Sequence, residues 1–409
     1  MKNKTLKPGW NWVKFGDVVR LSKSKSKDPL ADGFERYVGL EHLDSGNLRI
    51  RTSGNVSDGV TFTNVFHPGQ VLFGKRRAYQ RKVAVADFAG VCSSDIYVFE
   101  SKDENVLLPE LLPFICQTDA FFYHAVGTSA GSLSPRTNWK SLEGFEFALP
   151  SKSHQYELIK LLNSSWEVLD SYSSALIDSR LLLRSGINAV FSASGYSPAT
   201  TEMSLEIIKP DWKLLPAKDI CIAPITKGAT PPGATGSVDN GIPFIKVYNL
   251  TFDGTLDFKI DPTYLASEAH SSVLARSQVK NGDVLMNIVG PPLGKVSVVP
   301  DNFPCANINQ AIARFRLRKD IPSTYLVAYL LSDWAKQWFK ARSKKTSGQQ
   351  NLTLELCQTL PVPLPPSHSM ENILLSINGL FESAREIERR KIMAELTFKS
   401  ILEEAMSNV

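Results

Sequence analysis

The chain carries the same text twice. Gly69, Lys82 and Cys92 return as Gly282, Lys295 and Cys305, each pair 213 positions apart. The runs between them match in kind: Gln70-Val71-Leu72-Phe73 against Asp283-Val284-Leu285-Met286, and Val83-Ala84-Val85 against Val296-Ser297-Val298. Trp10 and Asp17 return as Trp212 and Asp219, and Phe145 to Pro150 returns as Leu360 to Pro365. Solenoid repeats have periods of about 20–50 residues, so this spacing is something else. It predicts a duplicated domain, each copy followed by an amphipathic helix, with both copies doing the same thing at two places on one partner.

A length of 409 residues allows two or three domains, and 43% hydrophobic content supports ordinary cores. The formal charge of +5 is too small to identify a polyanionic partner, so local clusters have to carry that argument. The five cysteines (Cys92, Cys116, Cys221, Cys305 and Cys357) show no CxxC spacing and the six histidines are scattered. Neither a disulfide framework nor a metal site is predicted. The basic N-terminus lacks an apolar core and no run approaches the length of a membrane span, which predicts a soluble, cytoplasmic protein.

Residues 1–150 read as a mixed α/β domain. Strands are expected near Arg36 to Leu40, Gln70 to Phe73, Val83 to Ala86 and Ile96 to Phe99, with one helix over Pro109 to Ala125 and a loop from Gly127 to Arg136. Residues 210–366 repeat the plan, with strands near Phe244 to Val247, Val284 to Ile288 and Ile312 to Leu317, a helix over Ser323 to Arg342 and a loop from Ser343 to Leu352. The breaker-rich stretch from Ser192 to Pro210 predicts a linker. Two long helices are the clearest local features. From His154 to Ser192, Ile159, Leu162, Trp166, Leu169, Leu176, Leu183, Ile187 and Val190 follow 4/3 spacing, interrupted only by Ser173 and Arg180. From His368 to Met406 the same spacing gives Ile373, Ile377, Leu380, Ala384, Ile387, Ala394, Phe398, Ile401 and Ala405, interrupted only by Lys391. Seams sustained over five heptads predict a coiled coil, with helices roughly 60 Å long.

Catalytic motifs are weak. Gly127-Thr128-Ser129-Ala130-Gly131 matches the G-x-S-x-G elbow, which opens an alternative reading as a serine hydrolase using Ser129. An aromatic, helix-like run precedes it where a strand is required, and the second copy has no such motif. Gly290 to Val296 resembles a phosphate loop, but it is one residue short between its glycines and has Val where Ser or Thr would bind magnesium. Pro291 and Pro292 also remove backbone N–H donors, so a hairpin turn is expected. No dinucleotide fingerprint and no aminomethyltransferase tetrapeptide is present.

Charge gives a sharper signal. Lys75, Arg76, Arg77, Arg81 and Lys82 fall within eight residues that also hold Tyr79 and Gln80 and no carboxylate, between two expected strands. Arg pairs bidentately with guanine, Gln with adenine, and either cation with phosphate, so a hairpin tip of this composition suits a major groove. Supporting clusters are Lys23, Lys25 and Lys27, and Arg342, Lys344 and Lys345 followed by Gln349 and Gln350. Lys227, Asn287 and Lys295 complete the candidate DNA-contacting set. A duplicated scaffold without a nucleic-acid role is the remaining alternative.

Thr346-Ser347-Gly348-Gln349-Gln350-Asn351-Leu352, the proline-rich Leu360 to Pro366 and the helix from His368 resemble the specificity subunit of type I restriction–modification systems. The first copy carries Gly131-Ser132-Leu133-Ser134, Phe145 to Pro150 and His154-Gln155, and Trp10 and Trp212 resemble the tryptophan that opens each recognition domain in that family. The first loop departs from the pattern, lacking the Gln-Gln pair. The resemblance implies two target-recognition domains (1–150, and 195–366 with its linker) and two spacer helices (151–194 and 367–409), packed antiparallel about a pseudo-twofold axis. It implies a non-catalytic chain that reads a bipartite DNA target and carries no cofactor. Two methylation subunits would hold S-adenosylmethionine, and two restriction subunits would use ATP and Mg.

Overall fold

The computed structural model of the chain describes residues 6–192, 211–230, 240–290, 293–346 and 349–407; the linker expected after Ser192 lies outside them. The fold is mixed α/β, in two compact units: Met1–Ser174 with Arg389–Val409, and Ala175–Glu388. Among the described residues no helix is long and apolar enough to cross a membrane, and no group of three or more His, Cys, Asp or Glu could hold a metal ion.

In the first unit, an antiparallel sheet runs in the order Val19–Leu21, Ile96–Ser101, Val71–Gly74, Val83–Val85. A second sheet runs Gly54–Asn55, Arg36–Val38, Gly90–Cys92, Asn64–Phe66, and Arg36–Val38 pairs parallel with Gly90–Cys92. Asn11–Lys14 pairs with Glu146–Leu149, so the start and end of the domain close on each other. Val71 and Phe73 share one buried aromatic cluster, while Leu72 faces another, as the period of two along a strand requires.

The second unit repeats these orders. Thr226–Lys227, Ile312–Phe315, Val284–Asn287, Val296–Val298 form one sheet, and Tyr264–Leu265, Ile242–Ile245, Ala306–Ile308, Gln278–Val279 the other, again with one parallel pair. Lys213–Pro216 pairs with Pro361–Leu364. Register corrects one sequence anchor. Val71 pairs Val85 and Val284 pairs Val298, keeping the offset of 213, but Val38 pairs Cys92 where Ile245 pairs Ile308. Cys92 therefore corresponds to Ile308. The connection before Ala306 is three residues longer than the one before Gly90, and Cys305 lies in it, exposed, whereas Cys92 is buried.

The helices expected over Pro109–Ala125 and Ser323–Arg342 are each broken once. Thr118 and Ser332 take extended backbone, and their hydroxyls accept the N–H of Phe121 and Ala335, starting new helices at Asp119–Gly127 and Asp333–Arg342. These are N-caps, with an acid in the first turn. The long helices span Lys152–Ser192 and Ser367–Met406, within two residues of expectation, and each contributes to both units. In the first unit Leu162 and Leu169 share a core with Phe398 and Leu402. In the second, Leu183, Ile187 and Phe191 share one with Ile377, Phe381 and Ala384, and Arg180 Nη2 lies 2.9 Å from Glu388 Oε1.

Each domain grips a long helix through the start of one of these capped helices. Asp119 accepts Lys399 at 3.1 Å while its N–H donates to Glu403 Oε1 at 2.7 Å. Asp333 accepts Arg184 at 3.0 Å while its N–H donates to Asn188 Oδ1 at 2.9 Å. In both, a cation and an acceptor four residues apart on the long helix hold a carboxylate and its own amide.

One pair of positions trades chemistry between the units. Gln70 Nε2 donates to Glu100 in the first, while Arg316 donates twice to Asp283 in the second. The Asp283 side chain is 1% exposed. Removing one partner of a buried ion pair strands the other, so Asp283→Ala should cost about 3–5 kcal/mol. The double change Asp283→Gln with Arg316→Glu, importing the first unit's pair, should recover much of that loss in chemical denaturation. No recovery would mean that the two sites are not interchangeable.

Candidate nucleic-acid interface

The basic cluster sits where expected. Strands Val71–Gly74 and Val83–Val85 pair antiparallel, and Lys75 to Lys82 connect them around a single 3-10 turn at Ala78–Gln80. Two non-glycine residues flank that turn in the left-handed region, Arg77 at φ 55° and Arg81 at φ 52°. The equivalent of Arg81 in the second unit is Gly294, at φ 98°, the residue for which that conformation carries no steric penalty.

The structure divides the cluster by task. Arg81 pairs with Asp119, donates to the Gln117 carbonyl and lies over the Phe122 ring at 4.5 Å, so it braces the hairpin against the capped helix. Lys82 Nζ donates to the Leu40 carbonyl, and Lys295 Nζ donates to the Val247 carbonyl at 3.4 Å. The repeated lysines therefore serve an internal contact in both units. Lys75 Nζ lies 4.6 Å from the centre of the Tyr97 ring, and burial pushes its pKa below the usual range. Arg77 and Tyr79 point outward, Gln80 is half-buried, and Lys23, Lys25, Lys27 and Lys227 are exposed.

Asn287 is placed differently from expectation. It is fully buried, and its Oδ1 accepts the N–H groups of Gly294 and Lys295. It thus stabilises the turn from inside, which removes it from a DNA-facing role. That turn joins paired strands Val284–Asn287 and Val296–Val298, as expected of a hairpin. Arg342 stacks over Trp338 at 4.8 Å. Lys344 and Lys345 lie on strand Lys344–Thr346, and Gln349 and Gln350 on strand Gln349–Asn351, the two pairing antiparallel; Ser347 and Gly348 between them lie outside the described residues.

A second loop, not singled out from sequence as part of the same surface, is tied to the basic hairpin. The Arg77 N–H donates to the Pro135 carbonyl at 2.7 Å, the Thr137 N–H donates to Lys75 at 3.0 Å, and Ala130 and Arg136 exchange both backbone bonds. Asp95, on the other side, accepts Arg136 at 2.7 Å and Arg76 at 3.3 Å. The bond from Arg136, reinforced by Arg76 and opposed by burial, holds the Asp95 carboxyl below its ordinary range. The clamp is therefore complete above the usual aspartate pKa and is lost only as pH falls through the lower folded value.

Ser129 does not form a nucleophile elbow. It follows helix Asp119–Gly127, and its hydroxyl donates back to the Ala125 carbonyl at 2.7 Å. The neighbouring His124 has its Nε2 against the Ser141 carbonyl at 2.7 Å. The element leading into the serine is a helix, not a strand, and each of the two side chains bonds a backbone carbonyl.

No protein-family model matches the chain. Over 165 residues, 40% of its length, it is 28% identical to the EcoDI type I restriction enzyme specificity subunit of Escherichia coli. Over 293 residues, 66% of its length, it is 25% identical to the EcoBI specificity subunit of the same organism. The matches span 36% and 60% of those two proteins. Among solved structures, a chain from a study of type I restriction–modification complex assembly matches 98% of this one and 99% of its own length, with a TM-score of 0.54 at 20% identity. The type I S subunit from M. genitalium matches all of this chain and 98% of its own, with a TM-score of 0.57 at 14% identity.

Proposed function

We propose that this chain, similar in sequence to type I specificity subunits and in fold to S subunits, is the DNA-reading subunit of a type I restriction–modification complex. The observation that carries the reading is the recurrence of one order of sheet strands in both units, with the basic hairpin Lys75 to Lys82 between two paired strands of the first. Two such units suit a target of two separated half-sites. Residues 1–150 and 195–366 would be duplicated target-recognition domains, and 151–194 and 367–409 the spacer helices. The gripping contacts support an antiparallel coiled coil with pseudo-twofold symmetry: the first domain holds the second long helix through Asp119, and the second holds the first through Asp333. Lys and Arg would supply salt-dependent affinity and Arg, Gln and Tyr the readout.

The chain itself would be non-catalytic. Methylation subunits carrying S-adenosylmethionine would dock on the outer faces of the long helices, where Leu161, Val168, Leu182, Leu375, Ile392 and Leu396 stand exposed. Restriction subunits would bring ATP-driven cleavage. Co-purified with its methylation subunits, the chain should shift duplex DNA with steep salt dependence and methylate a bipartite motif. Alone it should neither bind S-adenosylmethionine nor transfer methyl groups. Methyl transfer by the isolated polypeptide, or salt-independent binding by the complex, would overturn the assignment.

A further inference from the structure

Resting on that reading, we propose that Lys23, Lys25 and Lys27 form a phosphate-binding row, which holds the first unit on the DNA backbone beside the groove that its basic hairpin enters. The row supplies affinity and the hairpin supplies sequence.

The alternation Lys23-Ser24-Lys25-Ser26-Lys27 follows strand Val19–Leu21, and the chain stays extended past that strand. Ser22 N–H donates to the Val98 carbonyl at 2.9 Å and Ser26 N–H to the Thr63 carbonyl at 2.9 Å. Between them the Ser24 carbonyl accepts the Val65 N–H at 3.0 Å, and Lys25 is bridged to Asn64. Side chains alternate between the two faces of an extended backbone. Ser26 is 3% exposed and its hydroxyl donates to Asp32, while all three lysines are exposed. Asp28 accepts the Ala31 N–H at 3.1 Å, so both acids of this loop are engaged within it. Unlike Arg76, Arg81 and Arg136, the three lysines meet no carboxylate among the described residues.

Topology puts the row near the hairpin. Asn64, the partner of Lys25, pairs in turn with Cys92. Three residues later the Asp95 carbonyl accepts the Lys75 N–H at 2.9 Å. Two strand spacings and three residues of chain thus separate the row from the base of the hairpin, at most about 20 Å. A major groove is about 12 Å wide with a phosphate backbone on each side, so a hairpin in the groove leaves the row within reach of one of them. From Lys23 to Lys27 the chain spans up to roughly 14 Å, over which one DNA strand presents about four phosphates. Lysine suits this task, because a mobile ammonium meets a phosphate without the fixed fork by which arginine selects a base edge.

The test uses the full chain assembled with its methylation subunits. Replacing all three lysines with Gln should flatten the log–log salt dependence of duplex binding by about 2.7, at about 0.9 per phosphate contact. The methylated motif, mapped across a genome, should stay parental at both half-sites, which also reports that the variant folded and assembled. Replacing all three with Arg should keep the wild-type slope. If the triple Gln variant does not assemble, the single substitutions decide, each flattening the slope by about 0.9. A wild-type slope in the Gln variants overturns the row and leaves the lysines as guards of an exposed sheet edge. A relaxed half-site overturns the division of labour, since the lysines would then read sequence. A wild-type complex that methylates no bipartite motif overturns the functional reading on which the row rests.

Discussion

Inserting four residues after Ser173 should give an active complex whose half-sites are unchanged in sequence but separated by one or two more base pairs. Four residues add about 6 Å to a helix, close to one turn of about 5.4 Å, so the apolar seam keeps nearly its phase. One base pair occupies about 3.4 Å along the duplex, which sets the size of the shift. An insertion of two residues rotates the seam by about 200°. It would carry Leu176, Leu183 and Ile187, each at most 9% exposed, out of the positions they pack from, and assembly with the methylation subunits should fail. Methylation mapping decides the matter: an active four-residue variant with the parental gap would mean that the helix does not set the spacing.

Phe121→Ala should unfold the first unit's core more than any surface change near it. The ring is fully buried, with Phe15 at 4.9 Å, Phe145 at 5.3 Å and Phe73 at 5.6 Å between centroids. It therefore links the domain's opening segment, its central sheet and its closing strand. Truncating a buried phenylalanine costs about 3–5 kcal/mol through lost transfer energy and the cavity left behind. Chemical denaturation of the assembled complex should show that loss in one transition, with the first half-site losing protection before the second. A change below about 1 kcal/mol would mean that the aromatic cluster relaxes to fill the space.

Some features were legible because their signal is local. The long helices were placed within two residues from heptad spacing, and the basic hairpin from five cations between two short β-rich runs. The breaks at Thr118 and Ser332 were missed: Thr-Asp and Ser-Asp are helix-start signals, but the apolar residues on both sides read as one continuous helix. The third repeat anchor was misleading. Cys92 and Cys305 share an offset by coincidence, because a three-residue extension before Ala306 moves the true partner to Ile308.

The sequence by itself determined a mixed α/β fold with two long amphipathic helices, and its 213-residue spacing led to the expectation of one plan used twice, because repeat spacing and side-chain periodicity are properties of neighbours along the chain. Only tertiary structure decided what each cation does. Arg81 is spent on Asp119, Lys82 on Leu40 and Lys295 on Val247, while Asn287 turns inward and Arg77 and Tyr79 remain outward. Those partners lie tens of residues away along the chain, and a charge buried against a distant carbonyl looks the same in sequence as one facing solvent. The coupling of the 130–136 loop to the hairpin has the same origin: backbone hydrogen bonds leave no mark on the residues that make them.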